Sequence, residues 1–178
     1  MWYKKMEKKN VLIVVDMQTD FIDGALGTKE AEAILPNVAK EIKNFSGEVI
    51  FTRDTHGENY LQTQEGKNLP VKHCIKDTLG WQIHPLLKEL AEGKTIIDKP
   101  TFGSMTLPQY LKGKGTPDTI FLIGICTDIC VISNAMILKA AFPETEIYVD
   151  SLCCAGTTPQ NHKNALNAMK MCQIHILD

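Results

Sequence analysis

The sequence predicts an α/β fold: a three-layer, Rossmann-like sandwich with a mainly parallel six-stranded sheet and helices on both faces. Three observations carry this. Short apolar runs alternate with helical patterns along the chain. Several runs are continuously apolar, as strands covered on both faces require. The candidate reactive residues fall just past the ends of those runs, where open parallel sheets place their sites.

The predicted strands are Val11–Val15, Glu48–Thr52, Thr95–Ile97, Thr119–Ile123, Glu146–Val149 and Gln173–Leu177. Between the first two, Ala31, Ile34, Leu35, Val38 and Ile42 recur at helical spacing over Thr28–Phe45, with Thr28 as N-cap and Glu30 in the first turn. Asp128–Ala141 carries Ile129, Ile132, Met136 and Ala140 on one stripe behind a Thr127 cap. Thr158–Pro159 opens a last helix bearing Ala165, Leu166 and Met169, since proline suits the first helical position. Only Asp54–Gly93 breaks the rhythm, with a short helix expected around Trp81–Leu90. A long irregular connection inside a compact chain is usually functional.

At 178 residues, 44% of them hydrophobic, the chain suits one domain spanning 1–178, with residues 1–9 as a flexible lead holding the basic cluster Lys4, Lys5, Lys8 and Lys9. The 19 Lys plus Arg nearly balance 21 Asp plus Glu, which argues against nucleic acid or a membrane surface as partner. The apolar run Val11–Val15 ends in Asp16 without a cleavage site, so it reads as a strand and not as a signal. The six cysteines sit mostly in apolar segments without a disulfide framework, which favours reduced thiols and a cytoplasmic setting.

Asp16 ends the first strand, Lys99 follows the third, and Cys130 lies in the first turn of the helix after the fourth. A thiol needs positive potential or a base to attack a carbonyl. Lys99 and the helix N-terminus supply the first and Asp16 the second, so Cys130 is the expected nucleophile and the most reactive thiol. Backbone N–H groups around Cys126 to Cys130 are the candidate oxyanion hole. Cys126, Cys153, Cys154 and Cys172 read as core side chains. Residues two apart in an extended segment share a face, so Asp54 and His56 can grip one cation, with His73 and Glu65 completing a mixed nitrogen and oxygen set for zinc, iron or manganese. His84, His162 and His175 lack such company and read as surface or hydrogen-bonded core residues.

Five ordered motifs run through the chain: Val14-Val15-Asp16-Met17-Gln18 with Asp20-Phe21; Arg53-Asp54-Thr55-His56; Pro70-Val71-Lys72-His73-Cys74; Lys99 with Phe102-Gly103-Ser104; and Gly124-Ile125-Cys126-Thr127-Asp128-Ile129-Cys130-Val131. On these the sequence resembles the isochorismatase-like cysteine hydrolases, and among them most closely the nicotinamidases. The resemblance implies a triad of Asp16, Lys99 and Cys130; metal ligands Asp54, His56 and His73 with Glu65 as fourth; and a cis peptide before Cys126 that aims the Cys126 and Cys130 N–H groups at the oxyanion. It also implies a substrate covered by Phe21, and a homo-oligomer acting on a small amide, nicotinamide foremost, with a divalent metal, zinc foremost. Leu69 stands where nicotinamidases often carry Trp against the substrate ring, and Thr19 where Asn is frequent. Another small amide or ureido compound is the alternative substrate, and a binding protein without turnover the alternative class. Vinyl-ether hydrolysis, by the same analogy, needs neither Cys130 nor the Asp54 and His56 pair.

Overall fold

The computed structural model describes residues 8–178, and those residues run β1 (Asn10–Val15), α1 (Thr19–Ile22), α2 (Lys29–Asn44), β2 (Glu48–Asp54), a 3-10 turn (Tyr60–Gln62), α3 (Gln64–Asn68), α4 (Pro85–Ala91), β3 (Thr95–Lys99), α5 (Thr106–Lys114), β4 (Thr119–Ile125), a π-turn (Thr127–Val131), α6 (Ile132–Ala141), β5 (Glu146–Ala155), α7 (Pro159–Met171) and β6 (His175–Leu177). The six strands form one sheet in the order β3-β2-β1-β4-β5-β6. All five pairings are parallel, so the mainly parallel expectation becomes wholly parallel. Strand order reverses between β1 and β4: the chain leaves β1 to build one half of the sheet and returns at β4 to build the other. Loops after these two strands diverge, and a crevice opens between them.

The continuous apolar runs feed two cores at once. Leu12, Val14, Val49, Phe51 and Ile123 face α2 and α4 on one side, while Val11, Ile13, Val15, Ile50, Ile120 and Leu122 face α5, α6 and α7 on the other. Alternate side chains of a strand point to opposite faces, so a strand buried on both must be apolar throughout. On α2 the buried positions are Ala31, Ile34, Leu35, Val38 and Ile42, the stripe read from the sequence, and Thr28 Oγ1 accepts from Ala31 N at 3.1 Å as its cap. Thr158 caps α7 in the same way through Asn161 N.

Several expectations shift. The helix expected around Trp81 starts only at Pro85, because His84 caps it and Trp81 is instead a buried loop residue, its Nε1 donating to Thr55 Oγ1 at 2.8 Å and its ring under the Arg53 guanidinium. β5 continues past Val149 to Ala155, beyond an Asp150-Ser151 interruption that masks its extent; the ladder with β4 shifts register before Cys154 rejoins at Gly124. Thr127 is not a cap: Cys126 holds the N-cap position of the π-turn, and Thr127 Oγ1 instead meets His162 Nδ1 at 2.8 Å. Cys172, read as a core residue, is exposed at the end of α7. Of the lead expected at 1–9, residues 1–7, including Lys4 and Lys5, lie outside the described residues, while Lys9 is tied to the loop after α5 through Asp118 Oδ2 and the carbonyls of Lys114 and Gly115. Among the described residues, no helix is long and apolar enough to cross a membrane.

Gln18 joins the exit of β1 to that of β2. It is fully buried; its Oε1 accepts from Asp54 N at 2.7 Å, and its Nε2 donates to the carbonyls of Asp54 and Trp81 at 2.8 and 2.9 Å. Truncating this side chain leaves three buried backbone groups unpaired, at about 1–3 kcal/mol for each that finds no water. Gln18→Ala should therefore lower the unfolding free energy by about 2–4 kcal/mol, read as a lower denaturation midpoint with an unchanged slope.

Candidate active site

The ends of the strands converge on one ammonium. Lys99 closes β3 and is 1% exposed; its Nζ lies 2.7 Å from Asp16 Oδ2, 3.2 Å from Asp54 Oδ1, 3.1 Å from the Thr101 carbonyl and 3.5 Å from Cys130 Sγ. Asp16, just beyond β1, has φ at 49°, a left-handed conformation that Asp tolerates better than most residues. Thr52 Oγ1 donates to its Oδ1 at 2.7 Å. Cys130 arrives on the π-turn after β4, whose Ile129 and Val131 N–H groups both donate to the Cys126 carbonyl. The backbone can approach β1 this closely because residue 124 is glycine: φ is 118°, and a Cβ there would lie 2.1 Å from the Val15 carbonyl oxygen.

Burial sets the electrostatics. It pushes the Asp16 carboxyl above the usual range, opposed by Lys99 and reinforced by Asp54. It also raises the Cys130 thiol, with Asp16 adding to the effect and Lys99 opposing it. Burial would strip Lys99 of its proton, but Asp16, Cys130 and Asp54 together hold it charged. The thiol is therefore protonated at rest and stands beside a carboxylate able to take its proton.

Asp54, His56, Glu65 and His73 come together as a possible metal-binding cluster, each offering one atom within 4.8 Å of the others. His56 Nε2 lies 2.8 Å from Asp54 Oδ2 and 3.5 Å from Glu65 Oε1; His73 Nε2 lies 3.7 Å from both. Tetrahedral ligands around zinc stand roughly 3.4 Å apart, given bonds near 2.1 Å. His56 Nε2 is buried and aligned with no hydrogen-bond acceptor, and His73 Nδ1 meets the Val71 carbonyl at 2.8 Å, which leaves its Nε2 facing the cluster. Burial works to keep His56 neutral, yet the Asp54 and Glu65 carboxylates raise it to about 9. These donors call for positive charge at their centre, and two nitrogens with two carboxylates suit a borderline divalent ion.

Between the two clusters lies a cavity of about 370 Å³ whose walls include Phe21, Leu26, Leu69, Phe102, Cys126 and Ile129, with Cys130 and the metal-cluster residues Asp54, Glu65 and His73 also facing it. Of the residues singled out from the sequence, Phe21, Asp54, Glu65, Leu69, His73, Cys126 and Cys130 line this cavity, while Asp16, Lys99 and His56 stand behind them, Lys99 against Cys130 and Asp54, Asp16 against Lys99 and His56 against Asp54. The Ile125–Cys126 peptide is cis, as the resemblance implies. Not read from the sequence were Thr52, whose signal was a hydroxyl inside an apolar strand, and Asn134, a buried amide four residues after Cys130. Asn134 accepts from Ser104 N and donates to the Cys130 and Phe102 carbonyls, binding the loop after β3 to α6. Cys126 is half-buried and lines the cavity, so it is not the core residue expected. Cys172 is exposed and Cys130 buried, so access favours Cys172 while the expectation for Cys130 rests on its reactivity. His84, His162 and His175 stay outside the cavity, each with a partner: Asp23, Thr127 and Glu146.

Known proteins share this fold. The pyrazinamidase of Pyrococcus horikoshii, solved in complex with zinc, superposes with a TM-score of 0.83 and 29% identity, covering 96% of this chain and 99% of that one. The nicotinamidase/pyrazinamidase of Mycobacterium tuberculosis is 25% identical across 93% of this chain and 97% of its own. The nicotinamidase of Acinetobacter baylyi is 26% identical over 181 residues, 83% of each chain. The isochorismatase domain model matches residues 10–178, and with nearly the whole chain inside that match, the protein belongs to the isochorismatase family.

Proposed function

We propose that this protein is a cysteine-dependent, metal-assisted amidase that converts nicotinamide to nicotinate and ammonia. The observation that carries this reading is the buried Lys99 ammonium touching both Asp16 Oδ2 and Cys130 Sγ on the wall of an apolar cavity of single-ring size or larger. Relatives named as nicotinamidases support the substrate.

The residues divide the work as follows. The carboxamide binds with its carbonyl carbon over Cys130 and its ring against Phe21. Asp16 takes the thiol proton as Sγ attacks, so the thiolate exists only when its target is in place. The oxyanion is received by the N–H groups of Cys126 and Cys130, while Lys99 stabilises the negative charge beside it. Asp16 returns the proton to the departing amine, and ammonia leaves a thioester on Cys130. Water, deprotonated by Asp16, then releases the acid and restores the thiol. Asp54, His56, Glu65 and His73 would hold a divalent cation, zinc foremost, which would supply an electrophilic anchor that orients the substrate. The zinc bound by the Pyrococcus horikoshii relative supports that choice. The same reading takes the chain as a single domain, a homo-oligomer with reduced thiols in the cytoplasm, working on a small molecule and on neither nucleic acid nor membrane.

Cys130→Ala should abolish ammonia release from nicotinamide while leaving the thermal midpoint near wild type; a variant with substantial remaining turnover would overturn the nucleophile. Elemental analysis should find about one divalent ion per chain in wild type and little in His56→Ala, since one of four ligands is lost.

Leu69 favours a second substrate class, another small amide without an aromatic ring, because an aliphatic side chain half-exposed at the cavity gives less to a ring face than an aromatic one. An aromatic pair adds roughly 0.5–1.5 kcal/mol beyond area burial, so Leu69→Trp should lower the KM for nicotinamide by up to about tenfold. If instead that variant loses a preferred aliphatic amide and nicotinamide is poor in both proteins, the substrate is aliphatic.

A further inference from the structure

The cavity over Cys130 does not end at Leu69 and Phe102. A second, open cavity of about 580 Å³ lies on their far side, bordered by His56, Thr63, Gln64, Asn68 and Thr101. Four residues border both spaces: Glu65, Leu69, Phe102 and Ile129. The partition they form is fixed in its backbone and loose in its side chains. Leu69 N donates to the Glu65 carbonyl and the Leu69 carbonyl accepts from Tyr60 OH at 3.0 Å. On the opposite wall, Lys99 Nζ holds the Thr101 carbonyl and Asn134 Nδ2 the Phe102 carbonyl. Yet Leu69 and Phe102 remain 39% and 42% exposed, so their side chains are only partly packed across the gap.

The two spaces differ in chemistry. Apart from Thr28, Thr157 and its catalytic and metal-cluster ends the inner one is apolar; the outer one presents the amides of Gln64 and Asn68, four residues apart on α3 and therefore on one side of it, with Thr101 opposite. Among the described residues lining either space there is no Lys or Arg, while Glu65 faces both. An anionic group would meet no Lys or Arg in the outer space, and His56, which borders it, directs its Nε2 to the carboxylates of Asp54 and Glu65. A neutral group with hydrogen-bond donors and acceptors matches two primary amides, each of which offers both.

We propose that the outer cavity is a substrate subsite, and that the protein accepts ring carboxamides carrying a neutral, hydrogen-bonding substituent that passes between Leu69 and Phe102 to reach Gln64 and Asn68. This rests on the amidase reading for the chemistry at Cys130 and extends it to the substrate's far end. The reaction stays balanced as before: the amide and one water give the acid and ammonia, with the substituent untouched.

The test uses metal-loaded protein and two series of nicotinamides substituted at each free ring carbon, one with a 2-hydroxyethylamino chain and one with a carboxymethylamino chain. Two neutral hydrogen bonds correspond to about fivefold or more in affinity. One isomer of the neutral series should show a KM lower than nicotinamide by that factor, and its anionic counterpart a KM higher than nicotinamide. The Gln64→Ala/Asn68→Ala double variant should return the neutral isomer to the KM of nicotinamide and leave nicotinamide itself unchanged. Calorimetry on Cys130→Ala should give the same ranking without turnover. Hydrolysis of nicotinamide with no preference for any extended isomer, or an equal effect of the double variant on both compounds, overturns the subsite and keeps the amidase. Tight binding of the neutral isomer to Cys130→Ala with no ammonia released by wild type keeps the subsite and overturns the amidase.

Discussion

The structure is organised around the burial of the Lys99 ammonium. A charged amine at 1% exposure is tolerable only with partners, and here two carboxylates, a carbonyl and a thiol supply them from four separate segments. Removing one partner of a buried pair costs about 3–5 kcal/mol, because the other charge is left without compensation. The ends of β1, β2 and β3 and the π-turn after β4 are thus held in register by one cation. The same constraint explains the neutral polar residues beside it. Thr52, Gln18 and Asn134 are buried to satisfy groups that the convergence of four chain segments would otherwise strand.

The parallel sheet makes that convergence possible. In the ladder Asp54 lies opposite Lys99, and Val15 opposite Gly124, so the residues immediately past each strand emerge side by side at one edge. The reversal of strand order between β1 and β4 leaves room there for a ligand. Asp16 on one lip and Cys130 on the other can then face the same bound molecule. The long irregular connection from Asp54 to Gly93 folds over this edge, and His73 within it completes the candidate metal cluster begun at the end of β2.

What the sequence made legible follows from period and position. Strands buried on both faces are continuous apolar runs, and their ends named Asp16, Asp54 and Lys99 without any knowledge of the fold. The amphipathic stripe of α2 and its Thr28 cap are local features and were readable for that reason. Less legible was whatever depends on contacts distant in sequence. The π-turn at Thr127–Val131 has no composition of its own; it exists because Thr127 is drawn to His162 and Asp128 to Thr157, both thirty or so residues away. β5 hid its second half behind Asp150 and Ser151, which a strand at this position can expose where the register shifts. The helix expected around Trp81–Leu90 does not reach Trp81, whose indole N–H is taken by Thr55, so its place is set by a partner and not by period.

Charge balance links the two clusters into one unit. Asp54 gives Oδ1 to Lys99 and turns Oδ2 toward His56 and His73, so the metal cluster and the thiol are separated by one carboxylate and one ammonium. With His56 and His73 neutral, as metal ligation requires, the carboxylates of Asp16, Asp54 and Glu65 oppose Lys99 alone, leaving two negative charges in a mostly buried space. A divalent ion on the proposed ligands cancels them; a monovalent one would not. The proposed first step keeps that balance. When Asp16 takes the Cys130 proton, the negative charge moves from oxygen to sulfur and then onto the substrate oxygen, and the total around Lys99 is the same before and after. A thiol raised by burial is therefore no obstacle to attack: a free thiolate would add a third uncompensated charge, whereas internal transfer adds none. Burial that would disable an isolated cysteine instead confines its activation to the moment when a substrate can accept the charge.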